Sequence, residues 1–107
     1  MLHEIEHLVE TLPFVQERGS LAASMPGQDT EKLQLFVELN RAAFEQADFA
    51  ILARQINRKL ITELGIGAEK TCIVGPATLP KTSSGKKQRS DIWQLIDEGK
   101  VNILYAG

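Results

Sequence analysis

The stretch Pro80-Lys81-Thr82-Ser83-Ser84-Gly85-Lys86-Lys87-Gln88-Arg89 carries four cations and no acid. It lies between an apolar run, Cys72-Ile73-Val74, and an apolar-patterned segment holding Ile92, Trp93, Leu95 and Ile96. A Ser-Ser-Gly turn does not continue a helix or a strand cheaply, because glycine in either interior costs about 1 kcal/mol. It presents the side chain that follows, Lys86, at the tip of a loop. A lysine so placed can reach an anion that the rest of the chain does not contact. The chemistry open to it is electrostatic stabilisation of negative charge.

Other chemistries fit the residues less well. A phosphate-cradling loop needs Gly-x4-Gly-Lys-Ser/Thr after a strand. Here Pro80 stands where the first glycine should be, and Lys87 where the hydroxyl should be. His3 and His7 have the i, i+4 spacing of a zinc pair but lack a third ligand such as a Cys or further His, so His3 reads as part of a solvated helix face and no metal site is expected. Both histidines fall in the first seven residues, which leaves no credible Ser-His-Asp or Cys-His arrangement. The single cysteine, Cys72, makes no intramolecular disulfide and sits in an apolar run. It reads as a small core residue of a protein from a reducing, cytoplasmic compartment.

The 107 residues fit one domain spanning 1–107 with a modest core, and 43% hydrophobic with 24% charged residues is an ordinary globular balance. A net charge of −2 offers no basic surface for nucleic acid. The loop holds four of the twelve Lys and Arg, so the remaining body is acidic. A cationic loop on an acidic body favours one small anionic ligand over a long polyanion. No apolar stretch approaches the roughly 18 residues of a membrane span, and the N-terminus lacks a signal-peptide pattern.

The elements that must position the loop follow from periodicity. Ile5, Leu8, Val9 and Leu12 predict a helix over residues 3–12, stopped by Pro13. Leu21 to Met25 reads as a strand and Pro26-Gly27-Gln28-Asp29 as a turn. From Lys32 to Asn40, Leu33, Leu35, Val37 and Leu39 alternate with Lys32, Gln34 and Glu38, which predicts a half-buried strand paired antiparallel with the first. Phe49, Leu52, Ala53, Ile56, Leu60 and Leu64 form one helical stripe, with Asp48 or a residue just before it as N-cap and Gly65 as left-handed C-cap. Lys70 to Gly75 reads as a third strand leading into the loop. Ser90 caps a last helix running to about Glu98, ended by Gly99; Val101 to Tyr105 is a short strand or a tail. This order predicts an α+β fold, a small mixed three-stranded sheet flanked by helices.

The loop string resembles the last signature motif of the adenylate-forming enzymes, which include acyl-CoA synthetases, peptide-synthetase adenylation domains and fatty acyl-AMP ligases. In that family a Pro-Lys-Thr-x-Ser-Gly-Lys loop carries the lysine that serves adenylation. Glu4-Ile5-Glu6 resembles the Glu-Ile-Glu that opens the family's small C-terminal domain. Leu12-Pro13-Phe14-Val15 resembles its His-Pro-x-Val turn, with Leu in place of His. The resemblance covers about residues 2–98 and implies a three-stranded sheet with helices. It also implies that Lys86 is the catalytic residue of a loop at 80–89, that Lys81, Thr82, Ser83, Ser84 and Gly85 shape that loop, and that Gln88 and Arg89 anchor its end or help with phosphate.

By the same resemblance the substrate is ATP, carried with Mg2+, and nothing is expected to stay bound to this chain alone. The family's nucleotide-binding motifs and its hinge are absent, so the chain reads as a C-terminal domain lacking its larger N-terminal adenylation domain, and inactive by itself. The small domain swings between one orientation that serves adenylation and another that serves transfer to a thiol. Ser83-Ser84-Gly85-Lys86 with Gln88-Arg89-Ser90, Gln94-Leu95 and Glu98-Gly99-Lys100 looks like fatty acyl-AMP ligases and polyketide loading domains. The acceptor is then the phosphopantetheine thiol of an acyl carrier protein. An acyl-CoA synthetase using coenzyme A is the enzymatic alternative, and a free-standing interaction module the non-enzymatic one.

Overall fold

Leu12-Pro13-Phe14-Val15 closes a turn in which the Val15 amide donates to the Leu12 carbonyl at 3.1 Å. Proline at the second position supplies the φ that such a turn requires. The turn joins helix α1 (Leu2–Val9) to strand β1 (Val15–Ser24). The structure is a computed structural model, and it describes residues 2–24, 33–46, 48–76, 79 and 92–107. The other described elements are β2 (Leu33–Leu39), α2 (Arg41–Gln46), α3 (Phe49–Leu64), β3 (Lys70–Val74), α4 (Ile92–Asp97) and β4 (Ile103–Ala106).

Among the described residues the strands form one mixed sheet in the order β1-β2-β3-β4. β1 and β2 are antiparallel, as expected from the sequence, with Leu21 opposite Phe36 and Ala22 opposite Leu35. β3 runs parallel to β2, with Phe36 beside Cys72 and Val37 beside Ile73. The crossover that a parallel pair needs is supplied by α2 and α3. The α+β class and the flanking helices agree with the reading of the sequence. The three expected strands are joined by a fourth: β4 pairs antiparallel with β3, and Thr71 and Gly107 exchange backbone hydrogen bonds of 2.8 and 3.1 Å.

Alternation along the central strands builds two cores. Ala22, Leu35, Val37 and Ile73 face Ile5 and Val9 of α1 and Ile56 and Leu60 of α3. Leu21, Phe36, Cys72 and Val74 face the other way, onto Leu79, Ile92 of α4 and Val101. β2 is therefore buried on both faces, which corrects the half-buried reading: Gln34 and Glu38 point not to water but into the second core. Phe36, an aromatic at one of the nominally polar positions, was the local sign of this.

Three further boundaries differ from expectation. β1 starts at Val15 instead of Leu21 because a bulge between Val15 and Ser20 absorbs the intervening residues. Arg18 there has φ +56°, and a Cβ on Gly19 would lie 2.7 Å from the Gln16 carbonyl oxygen and 3.0 Å from that of Glu38. Only glycine fits so close an approach. The short helix α2 was not foreseen. Asn40 caps it by accepting from the Ala43 amide at 3.0 Å and donates from Nδ2 to the Pro13 carbonyl at 2.7 Å. The stripe of α3 buries Ala53, Ile56 and Leu60, but Leu64 is 39% exposed, in the last turn before the Gly65 cap. Both caps of α3 are as read: Asp48 Oδ1 accepts from the Ala50 amide at 3.0 Å, and Gly65 adopts φ +70°.

α1 also closes the free edge of β1. The Ala22 amide donates to Glu6 Oε2 at 2.8 Å, and the Ser20 hydroxyl donates to Glu10 Oε2 at 2.6 Å. The Glu4-Ile5-Glu6 triplet thus divides its work, with Ile5 in the core and Glu6 on an edge amide.

Ile56→Ala is expected to lower the unfolding free energy by about 2–5 kcal/mol through a cavity under β2 and β3. Ile61→Ala, at a 53% exposed position on the same helix, should change it by no more than about 0.5 kcal/mol. Urea titrations of the two variants, followed by circular dichroism, make the comparison.

Candidate active-site loop and its anchorage

The candidate catalytic Lys86, with Lys81, Thr82, Ser83, Ser84, Gly85, Gln88 and Arg89, lies outside the described residues, as does Ser90. What the structure shows is where the chain enters and leaves that segment. β3 ends at Val74, the Gly75 amide donates to the Asn102 carbonyl at 2.8 Å, and Leu79 returns to the interior. On the far side the described chain resumes at Ile92, the first residue of α4, which is fully buried. Leu79 and Ile92 belong to the same apolar cluster, with Leu21, Phe36, Cys72, Val74 and Val101. The two feet of residues 80–91 are therefore set in one core.

Two interactions reinforce these feet. Trp93 of α4 packs edge-on against Phe36, with ring centroids 5.9 Å apart, a geometry that adds about 0.5–1.5 kcal/mol beyond burial. At the near foot the Leu79 amide donates to Glu38 Oε2 at 2.8 Å, and both groups are buried. Glu38 escaped the sequence reading because strict alternation assigned it to solvent. The signal was a carboxylate inside the otherwise apolar Leu35-Phe36-Val37-Glu38-Leu39. Gly99, read as the stop of the last helix, has φ +72° and donates its amide to the Ile96 carbonyl at 3.0 Å.

A groove of about 600 Å³ opens beside this near foot, lined among the described residues by Gln16, Glu38, Leu39, Arg41, Phe44 and Pro76, among others. The β1 bulge and α2 form its walls, so the two features absent from the sequence reading shape the surface beside Pro76. His3 and His7 stand on the exposed face of α1. Among the described residues no group of three His, Cys, Asp or Glu is placed to hold a metal ion, and no helix is long and apolar enough to cross a membrane.

Known proteins share this fold. Over 105 residues, 97% of its length, the chain is 26% identical to the long-chain-fatty-acid–AMP ligase FadD23 of Mycobacterium tuberculosis. It spans only 18% of the length of that relative. Among solved structures, the chain superposes on a multidomain module of a keto acid-selecting NRPS containing adenylation and ketoreductase domains. That likeness has 26% identity and a TM-score of 0.74, over 92% of this chain and 8% of that one. A Brucella canis acyl-CoA synthetase matches at 26% identity and a TM-score of 0.69, over 92% of this chain and 18% of that one. In sequence and in fold the chain is similar to part of several adenylate-forming enzymes. A fatty acid AMP ligase from Legionella pneumophila shows the same fold at only 15% identity, with a TM-score of 0.75 over 98% of this chain and 18% of that one. No family model matches the chain.

Cys72 is a core residue, as read from the sequence, and accepts a weak hydrogen bond from Gln34 Nε2 at 3.5 Å. Burial pushes its thiol above the usual value, while the Gln34 hydrogen bond and the Lys70 charge pull it down by less. The folded state thus holds the thiol proton more tightly than the unfolded chain does. Stability from this group is complete below the unfolded thiol's pKa of about 8.5 and declines as pH rises past it. A thiol-reactive disulfide reagent is expected to modify Cys72 only once urea unfolds the chain. The urea midpoint should fall above pH 8.5 more steeply in the parent than in Cys72→Ala, a difference that titrations at successive pH values will show.

Proposed function

We propose that this chain is the mobile C-terminal lid of a fatty acyl-AMP ligase and that Lys86 is its catalytic cation. The observation that carries the reading is the match of nearly the whole chain to a fatty-acid–AMP ligase, combined with the Pro80–Arg89 motif. In the proposed reaction a carboxylate oxygen of the fatty acid attacks the α-phosphorus of ATP. An acyl-phosphate anhydride bond forms, the α–β phosphoanhydride bond breaks, and pyrophosphate leaves with its electron pair. Two anions meet in this step, and the Lys86 ammonium offsets their repulsion as charge builds on the phosphorus oxygens. Removing one such group costs about 3–4 kcal/mol in the barrier.

Lys81 to Gly85 would give the loop its shape, and Gln88 and Arg89 would secure its return toward α4. ATP, carried with Mg2+, would bind the larger N-terminal adenylation domain, so the 107-residue chain alone should not turn over. After adenylation the lid would swing aside, and the thiol of a carrier protein's phosphopantetheine would displace AMP from the acyl carbon. The basic loop and neighbouring helix would suit an acidic carrier surface. The likeness to the Brucella canis acyl-CoA synthetase favours coenzyme A as the alternative acceptor. A cytoplasmic site of action belongs to the same reading.

In the full-length ligase, Lys86→Ala is expected to lower acyl-adenylate formation by about a hundred- to a thousand-fold, while transfer from preformed acyl-adenylate to the thiol is spared. Equal loss of both half-reactions would contradict the role given to Lys86. Acyl transfer to purified holo-carrier protein but not to coenzyme A, followed by mass spectrometry, would select the fatty acyl-AMP ligase branch. The reverse outcome would select the coenzyme A branch.

A further inference from the structure

The buried carboxylate of Glu38 has no role in the reading above, and it is costly where it stands. It lies on β2, the strand paired on one side with β1 and on the other with β3, and it is 2% exposed. Taking a carboxylate out of water carries a penalty of several kcal/mol unless hydrogen bonds compensate it. Two residues earlier on the same face, Phe36 shows what that face accepts at low cost: an apolar side chain packed against Trp93, Cys72 and Val74. A methionine or leucine at position 38 would extend that packing. An acid at this position therefore draws attention to the groups it bonds.

One bond that Glu38 makes points to a further role. Its Oε2 accepts the Leu79 amide at 2.8 Å, a charge-assisted contact between positions 41 residues apart in sequence. Leu79 is the last described residue before Pro80, where the cationic motif begins, and seven positions ahead of Lys86. Its side chain shares the cluster that holds Ile92 on the far side of the segment. Because the donor is a backbone N–H, the bond fixes the course of the main chain itself rather than one side chain. The start of the loop is thereby referenced to the middle of the sheet.

We propose that Glu38 is a positioning residue for adenylation: its carboxylate holds the main chain at Leu79 and so sets the origin from which Lys86 reaches the reacting phosphate. The proposal rests on the role assigned to Lys86 above. It follows from the geometry that loss of the acceptor frees the near foot of the loop while the far foot at Ile92 stays packed. A misplacement of about 1 Å in a catalytic group is enough to cost on the order of a hundredfold in rate.

The test uses Glu38→Met, which keeps side-chain length and removes the acceptor, and Glu38→Gln, whose carboxamide oxygen can still accept the Leu79 amide. In the 107-residue chain, Glu38→Met should lower hydrogen-exchange protection of the Leu79 amide by about tenfold or more, with the β2 and β3 amides unchanged. In the full-length ligase it should lower kcat for acyl-adenylate formation by about ten- to a hundredfold. KM for ATP and fatty acid should stay within about twofold, and transfer from preformed acyl-adenylate should be unaffected. Glu38→Gln should remain within about threefold of the parent kcat. Unchanged Leu79 protection or unchanged kcat in Glu38→Met would overturn the proposal. So would parallel loss of both half-reactions, or Glu38→Gln as impaired as Glu38→Met, since either outcome marks a merely structural role. Full adenylation by Lys86→Ala would sink the functional reading instead, and the Leu79 protection measurement would still decide the clamp.

Discussion

Burial of the central strands on both faces is the constraint from which the rest of this domain follows. β2 and β3 place Leu35, Val37 and Ile73 on one side and Phe36, Cys72 and Val74 on the other. Neither face can be left to water, so each needs its own helical layer. α1 and α3 cover the first, and α4 covers the second. Since β3 must hand the chain to α4, the segment between them starts at the sheet and ends on the helix that roofs it. Two anchors in one core are the consequence, and the cationic motif lies between them.

Among the described residues, three polar side chains each meet a specific backbone need. Glu6 takes the Ala22 amide on the open edge of β1, where no neighbouring strand is available. Asn40 ties the end of β2 to the Pro13 turn while capping α2. Glu38 takes the Leu79 amide at the near foot of the loop. A buried carboxylate is tolerated when a well-placed donor meets it, and a backbone amide without a partner strand supplies such a donor. The acids thus mark the places where regular pairing runs out: a sheet edge and the start of a loop.

The likeness to solved adenylate-forming enzymes persists at identities of 15–26%. Layer architecture depends on the pattern and total volume of apolar residues more than on their identities, which allows sequences to diverge this far with the fold retained.

Local chemistry was legible in the sequence by itself. The Asp48 cap, the Gly65 and Gly99 stops, the buried stripe of α3, the antiparallel pairing of β1 with β2 and the cationic loop motif all depend on residues close along the chain. The tertiary structure alone decided that β2 is buried on both faces, that β1 reaches back to Val15 through a bulge, that a fourth strand closes on β3, and that Glu38 meets Leu79. Each of these depends on partners distant in sequence. A strand's alternation tells which residues share a face but not whether that face is covered, and a carboxylate's character does not reveal which amide will come to it from 41 residues away.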